Sequence, residues 1–143
     1  MNKKKILFVC IHNSARSQMA EAFVNQLCAD KWEAQSAGLE PGKLNPVVVQ
    51  AMQQAGIDIS GNVTKSVAEI LQSGQQFDTV VTVCDGASAE RCPMFPGSGQ
   101  RLHWGFADPS QFAGTWEEKV EQTCGIRDAI RTRMEEWCAT SCS

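Results

Sequence analysis

The sequence contains no tyrosine, only two histidines, and no apolar run long enough to cross a membrane. A membrane-spanning helix is thereby excluded. Basic residues do not predominate: 13 Lys and Arg stand against 16 Asp and Glu, a net charge of −3, so nothing marks a nucleic-acid-binding surface. The one basic cluster, Lys3-Lys4-Lys5, leads into an apolar run that breaks at His12-Asn13 and is too short for a signal peptide. The chain is therefore read as cytoplasmic. There is no Cys-x-x-Cys pair, and His12 and His103 have no metal-ligand spacing, so neither zinc nor another metal is expected. Internal repeats, linkers and low-complexity stretches are also missing. What remains, 143 residues of which 43% are hydrophobic and 20% charged, describes one domain over 1–143 with an ordinary globular balance.

Cysteine is abundant by contrast. Seven occur, at 10, 28, 84, 92, 124, 138 and 142. Without an export signal they do not read as a disulfide framework; reactive thiols among packed ones are expected. Cys28 falls at the edge of a helical stripe and reads as packing, as does Cys124. Cys138 and Cys142 read as frayed tail residues or an accessory exchange pair.

The chemistry concentrates in Cys10-Ile11-His12-Asn13-Ser14-Ala15-Arg16-Ser17. Ile6-Leu7-Phe8-Val9 enters this stretch as a buried strand. Ser17 to Leu27 leaves it as a helix, with Met19, Phe23 and Leu27 at four-residue spacing. A loop between a strand end and a helix start gathers backbone N–H groups, and the helix dipole adds positive potential. Arg16 contributes a planar fork suited to an oxyanion. A thiol in that field gives up its proton readily. Ser17 is placed to hydrogen-bond the thiolate or to cap the helix, and Asn13 tolerates the unusual backbone angles that such a loop needs. The alternative is a buried strand-end cysteine with a surface arginine.

Strands and helices alternate along the rest of the chain. Glu33–Gly38 reads as a strand, Val47–Gly56 as a helix begun by Pro46 and stopped by Gly56, and Ser66–Leu71 as a short helix with Ser66 and Glu69 at capping-box spacing. Phe77–Cys84 and Arg101–Trp104 read as strands, and a long helix runs from Thr115 or Trp116 to Trp137. Trp104 and Trp116 are expected in the core. The pattern predicts an α/β fold with a central four-stranded parallel sheet and helices on both faces. Ligands of such sheets sit beyond the carboxyl ends of the strands. Cys10, Ser36, Cys84 and Asp108 all fall at or just after those ends, which places them around one pocket.

Asp108, before Pro109, is the natural general acid for that pocket, unless it merely opens a turn. Cys84 is either packed core or the first of two further thiols; the small polar loop after it ends at Cys92. Three thiols near one oxyanion site would permit a two-electron reduction followed by disulfide exchange, whereas a phosphatase needs only the first.

These motifs carry a family resemblance. The whole chain resembles the low-molecular-weight tyrosine phosphatase superfamily, and most closely its arsenate reductase branch. The resemblance rests on Phe8 to Glu21, Ser36-Ala37-Gly38, Val81-Thr82-Val83-Cys84 with Cys92-Pro93, and His103 to Pro109. The phosphatase branch usually follows its Asp-Pro with tyrosines; here Asp108-Pro109 is followed by Ser110-Gln111-Phe112. His12 and Ala15 stand where that branch has Gly and Cys. By resemblance, Cys10 attacks arsenate held by the loop and Arg16, Asp108 protonates the departing oxygen, and a Cys10–Cys84 disulfide passes to Cys84–Cys92. A thioredoxin-like dithiol reduces it. No resident cofactor is implied. The spacing from Cys84 to Cys92 is one residue longer than in well-known thioredoxin-linked members. Those members bind potassium through residues matching Asn13, Glu21 and Ser36, plus an Asp. Lys65 aligns with that Asp, so its ammonium is expected to replace the ion.

The expectation is thus a monomeric arsenate reductase acting with thioredoxin, with phosphate or sulfate as competing oxyanions. A glutathione–glutaredoxin donor is the alternative within that class. The rivals outside it are a phosphatase acting on phosphotyrosine or small phosphoesters, and an oxyanion-sensing module without turnover.

Overall fold

The computed structural model describes residues 4–10, 13, 15–40, 42–83, 100–106, 109 and 112–141. Its centre is β1 (Lys4–Cys10), flanked by β2 (Trp32–Gly38) and β3 (Thr79–Thr82), with β4 (Gln100–His103) beyond β3. The strand order is β2-β1-β3-β4 and every pairing is parallel. A central parallel strand is covered on both faces and so reads as a continuous apolar run; Ile6, Leu7, Phe8 and Val9 are all fully buried.

Alternation along β1 divides the core into two layers. Ile6, Phe8 and Cys10 join a cluster with Met19, Phe23 and Val24 of α1 (Arg16–Leu27), Val48 and Met52 of α2 (Pro46–Gln54), and Ile130 and Met134 of α4 (Trp116–Ser141). Leu7 and Val9 face the other layer, where Val67 and Ile70 of α3 (Val67–Gln72) pack with Phe77 and Val80. Helices therefore cover both faces, as the element pattern predicts. Helices α1 and α2 each pack against α4.

Local chemistry sets the helix limits. Pro46 occupies the first turn of α2, the Asn45 side chain accepts from the Val47 N–H at 2.9 Å, and Gly56 ends the segment at φ +83°. The capping box of α3 is complete: Ser66 Oγ accepts from the Glu69 N–H at 2.9 Å, and the Ser66 N–H reaches Glu69 Oε2 at 3.4 Å.

Three expectations need correction. Leu27 and Trp116 are exposed, at 36% and 48%, because each stands at a helix end past its packed stripe. Helix α4 does not fray after Trp137 but continues to Ser141. The cause is the third correction: Cys138 forms a disulfide with Cys28, 110 residues earlier, with Cα atoms 6.0 Å apart. Beside it Trp137 packs against Trp32 and Trp104, ring centroids 5.3 and 5.5 Å away. Cys28 is thus a clamp and not simple packing, and Cys138 is not a loose tail residue; Cys142 lies outside the described residues. Cys124 is free and partly exposed, donating to Gln54 Oε1 at 3.4 Å. No helix among the described residues is long and apolar enough to cross a membrane.

A cross-link that closes so long a loop restricts the unfolded chain strongly. Replacing Cys138 by Ser should lower stability by about 2–4 kcal/mol in urea without reductant. With reductant present, wild type and variant should unfold at the same urea concentration. Equal stability under both conditions would show that the clamp contributes nothing.

Candidate active site

Cys10 ends β1 at the middle of the sheet, opposite Gly38 of β2, and is 2% exposed. Beyond it the chain turns through Asn13, whose φ of 53° is the one positive value at a non-glycine among the described residues. Asparagine is among the residues that enter this region most readily. The turn aims the Asn13 N–H at the thiol, 3.1 Å from Cys10 Sγ. Ser17 Oγ lies 2.9 Å from the same sulfur and accepts from Asn13 Nδ2 at 2.8 Å. Because the serine oxygen receives the amide hydrogen, its own hydrogen is left for the sulfur. Two polar groups of the loop thus converge on one sulfur.

Ser17 therefore serves the thiol and not the helix end. Ala15 is the N-cap of α1 and supplies no side-chain cap. An N-terminus of that kind, adjoining a thiol and an arginine, suits an oxyanion. Arg16 begins α1, is 4% exposed, and donates from Nη1 to the Phe106 carbonyl at 3.1 Å. Phe106 in turn follows β4, its N–H donating to the Val83 carbonyl at 3.3 Å. The Cys10 loop is thus tied to the carboxyl ends of β3 and β4.

A second group of residues braces the loop from the β2 side. Asn13 Oδ1 accepts the Lys65 backbone N–H at 3.0 Å, and the Gly38 N–H donates to the Lys65 carbonyl at 2.8 Å. The Lys65 ammonium lies 3.8 Å from Glu21 Oε1, which also accepts from Ser36 Oγ at 3.2 Å. The structure so brings Asn13, Glu21, Ser36 and Lys65 together. They do not suit a potassium ion, because an ammonium already meets the carboxylate that such an ion would need. Burial raises the Glu21 carboxyl above its ordinary value, while Lys65 and then the Ser36 hydroxyl oppose the shift. Among the described residues no cluster of His, Cys, Asp and Glu could hold a metal ion.

Gln18 was not legible as part of the site. It is 1% exposed and donates from Nε2 to the Asn13 carbonyl at 3.1 Å, Asn13 Oδ1 at 3.2 Å and the Val63 carbonyl at 3.2 Å. Its Oε1 accepts from Asn62 Nδ2 at 3.1 Å. The available signal was a polar residue set between Ser17 and Met19 at the start of an otherwise apolar helix face. Of the other residues expected here, Ile11, His12, Ser14, Cys84, Cys92 and Asp108 lie outside the described residues. A groove of about 510 Å³ between α2 and α4, lined by Gln54, Trp116 and Cys124 among others, includes no residue of the Cys10 loop.

Residues 5–140 match the model of the low molecular weight phosphotyrosine protein phosphatase family. The arsenate reductase of Bacillus subtilis (strain 168) is 44% identical over 141 residues, which cover 98% of this chain and 99% of that one. A solved structure of an arsenate reductase in the phosphate-binding state superposes with a TM-score of 0.77 at 30% identity, covering 96% of this chain and 98% of that one. The thioredoxin-dependent arsenate reductase of Corynebacterium glutamicum superposes with a TM-score of 0.62 at 26% identity, over 94% of this chain and 63% of that one.

The raised Glu21 carboxyl has a consequence for stability. The folded protein holds this proton more tightly than the unfolded chain does. The stabilisation is complete below the unfolded value of 4.5 and is lost as pH rises through the folded value. In Glu21→Gln that dependence disappears. The stability of wild type relative to the variant should therefore fall as pH climbs from about 4.5 and then level off. Urea unfolding of both proteins across that range measures it, and a difference that grew with pH would contradict the assignment.

Proposed function

Because the chain belongs to the low molecular weight phosphotyrosine protein phosphatase family, beside its arsenate reductases, we propose that it reduces arsenate to arsenite. The observation that carries this reading is the Cys10 sulfur, receiving the Asn13 N–H and facing the Ser17 hydroxyl where Arg16 opens α1.

The Cys10 thiolate attacks arsenic, forming a sulfur–arsenic bond while one arsenic–oxygen bond breaks. Asp108 gives its proton to that oxygen, which leaves as water. Cys84 then attacks the Cys10 sulfur. A Cys10–Cys84 disulfide forms, the electron pair of the sulfur–arsenic bond stays on arsenic, and arsenite departs. Cys92 attacks Cys84, restoring Cys10 and leaving a Cys84–Cys92 disulfide. An external dithiol takes up this oxidation, so one dithiol is consumed per arsenate. The similarity to a thioredoxin-dependent relative supports thioredoxin as that dithiol. Arsenate and phosphate share shape and charge, so phosphate and sulfate compete for the loop. The Lys65 ammonium takes the place of an alkali cation beside Glu21.

The decisive assay is arsenate-dependent NADPH consumption with thioredoxin and its reductase, against glutathione with glutaredoxin. Turnover with thioredoxin should vanish in Cys84→Ser and Cys92→Ser and fall by several orders of magnitude in Cys10→Ser. Asp108→Asn should lower the arsenate reaction about 10²-fold or more. Turnover with glutathione alone would remove Cys92 from the relay. Absence of arsenate reduction alongside brisk Cys10-dependent phosphoester hydrolysis would make the protein a phosphatase. Exchanging sodium for potassium should leave kcat/KM unchanged, and a clear rise would defeat the role given to Lys65.

A further inference from the structure

The carboxamide of Gln18 is fully engaged in one orientation. Its Nε2 faces three oxygens, the Asn13 carbonyl, Asn13 Oδ1 and the Val63 carbonyl, while Oε1 faces the donor Asn62 Nδ2. Turned over, the amide would set an acceptor against three acceptors and a donor against a donor. Two of its contacts fall on Asn13. The carbonyl contact anchors the left-handed main chain of Asn13, whose N–H reaches the Cys10 sulfur. The Oδ1 contact, shared with the Lys65 N–H, turns the asparagine amide so that Nδ2 faces Ser17 Oγ. Ser17 then has its hydrogen free for the same sulfur.

We infer that Gln18 is a positioning residue for the Cys10 nucleophile: acting through Asn13, it holds both hydrogen-bond donors on the sulfur and fastens the loop to the 62–65 segment. Its hydrogen bonds go to Asn13, Val63 and Asn62 and not to the sulfur. The role rests on Cys10 being the nucleophile, as proposed above, but not on the identity of the oxyanion. A buried amide that merely filled space would be replaceable by a side chain of the same length. One that acts by donation is not replaceable by an acceptor of the same shape.

Cys10 alkylation by iodoacetamide, followed by peptide mass spectrometry across a pH series, tests this without any substrate. Gln18→Glu keeps the shape but carries no donor when ionised, and Gln18→Met keeps the length alone. In both, alkylation at neutral pH should slow by about three- to tenfold, the factor that one hydrogen bond carries, and the pH–rate profile should move to higher pH. Asn62→Ala, at an exposed position, keeps the fold if the buried variants do not, and should shift the profile the same way by less. In an Asn13→Ala background, Gln18→Met should add nothing, because the path through Asn13 is already cut. An unchanged profile in Gln18→Glu and Asn62→Ala, or full additivity with Asn13→Ala, overturns the inference. A shifted profile in a protein that fails to reduce arsenate would leave Gln18 in place and remove the arsenate reading instead.

Discussion

Between Cys10 and Arg16 the main chain passes from a strand to a helix within a few residues, and Asn13 makes that possible by taking φ 53°. A backbone there is strained for most side chains, by about 1–3 kcal/mol, and persists only where its surroundings hold it. The surroundings do so. Every polar group of Asn13 has a partner: its N–H meets the Cys10 sulfur, its carbonyl meets Gln18, and its carboxamide spans Ser17, Gln18 and Lys65. Removing any one contact would weaken the others, since a buried polar network is stable only when its members are satisfied together. The setting of the Cys10 sulfur is therefore a product of the loop's internal bonding as much as of the cysteine itself.

That loop is a meeting point of separate elements. Arg16 reaches the stretch after β4 through the Phe106 carbonyl, while Asn13 reaches the segment before α3 through Lys65. Glu21 and Ser36 join α1 to β2. A parallel sheet makes such convergence possible, because all four strands deliver their carboxyl ends to one edge.

Much of this was readable in advance, for identifiable reasons. The apolar run of β1 announces a strand buried on both faces. The capping box at Ser66 and Glu69 and the Pro46 and Gly56 punctuation mark their helices even where Val47-Val48-Val49 speaks against one. The Cys10 loop stands out in the sequence because cysteine, arginine and serine lie between a strand and a helix. Other features depend on contacts between residues far apart in the chain, which no local pattern encodes. Cys28 and Cys138 become partners only once α1 and α4 pack side by side. The part Gln18 plays is visible only once Asn62 and Val63 meet its carboxamide. Leu27 and Trp116 satisfy a helical stripe in sequence, yet the partner surface ends before it reaches them.

The Cys28–Cys138 bond also gives the molecule a covalent topology. It turns residues 28–138 into a closed ring, with α1 and the Cys10 loop on one short arm and the last residues on the other. A single break in the main chain anywhere inside the ring leaves two pieces still joined through sulfur. The connections between β2 and β4 all belong to that ring. A cut in them would leave the fragments covalently joined, so long as the two thiols stay oxidised.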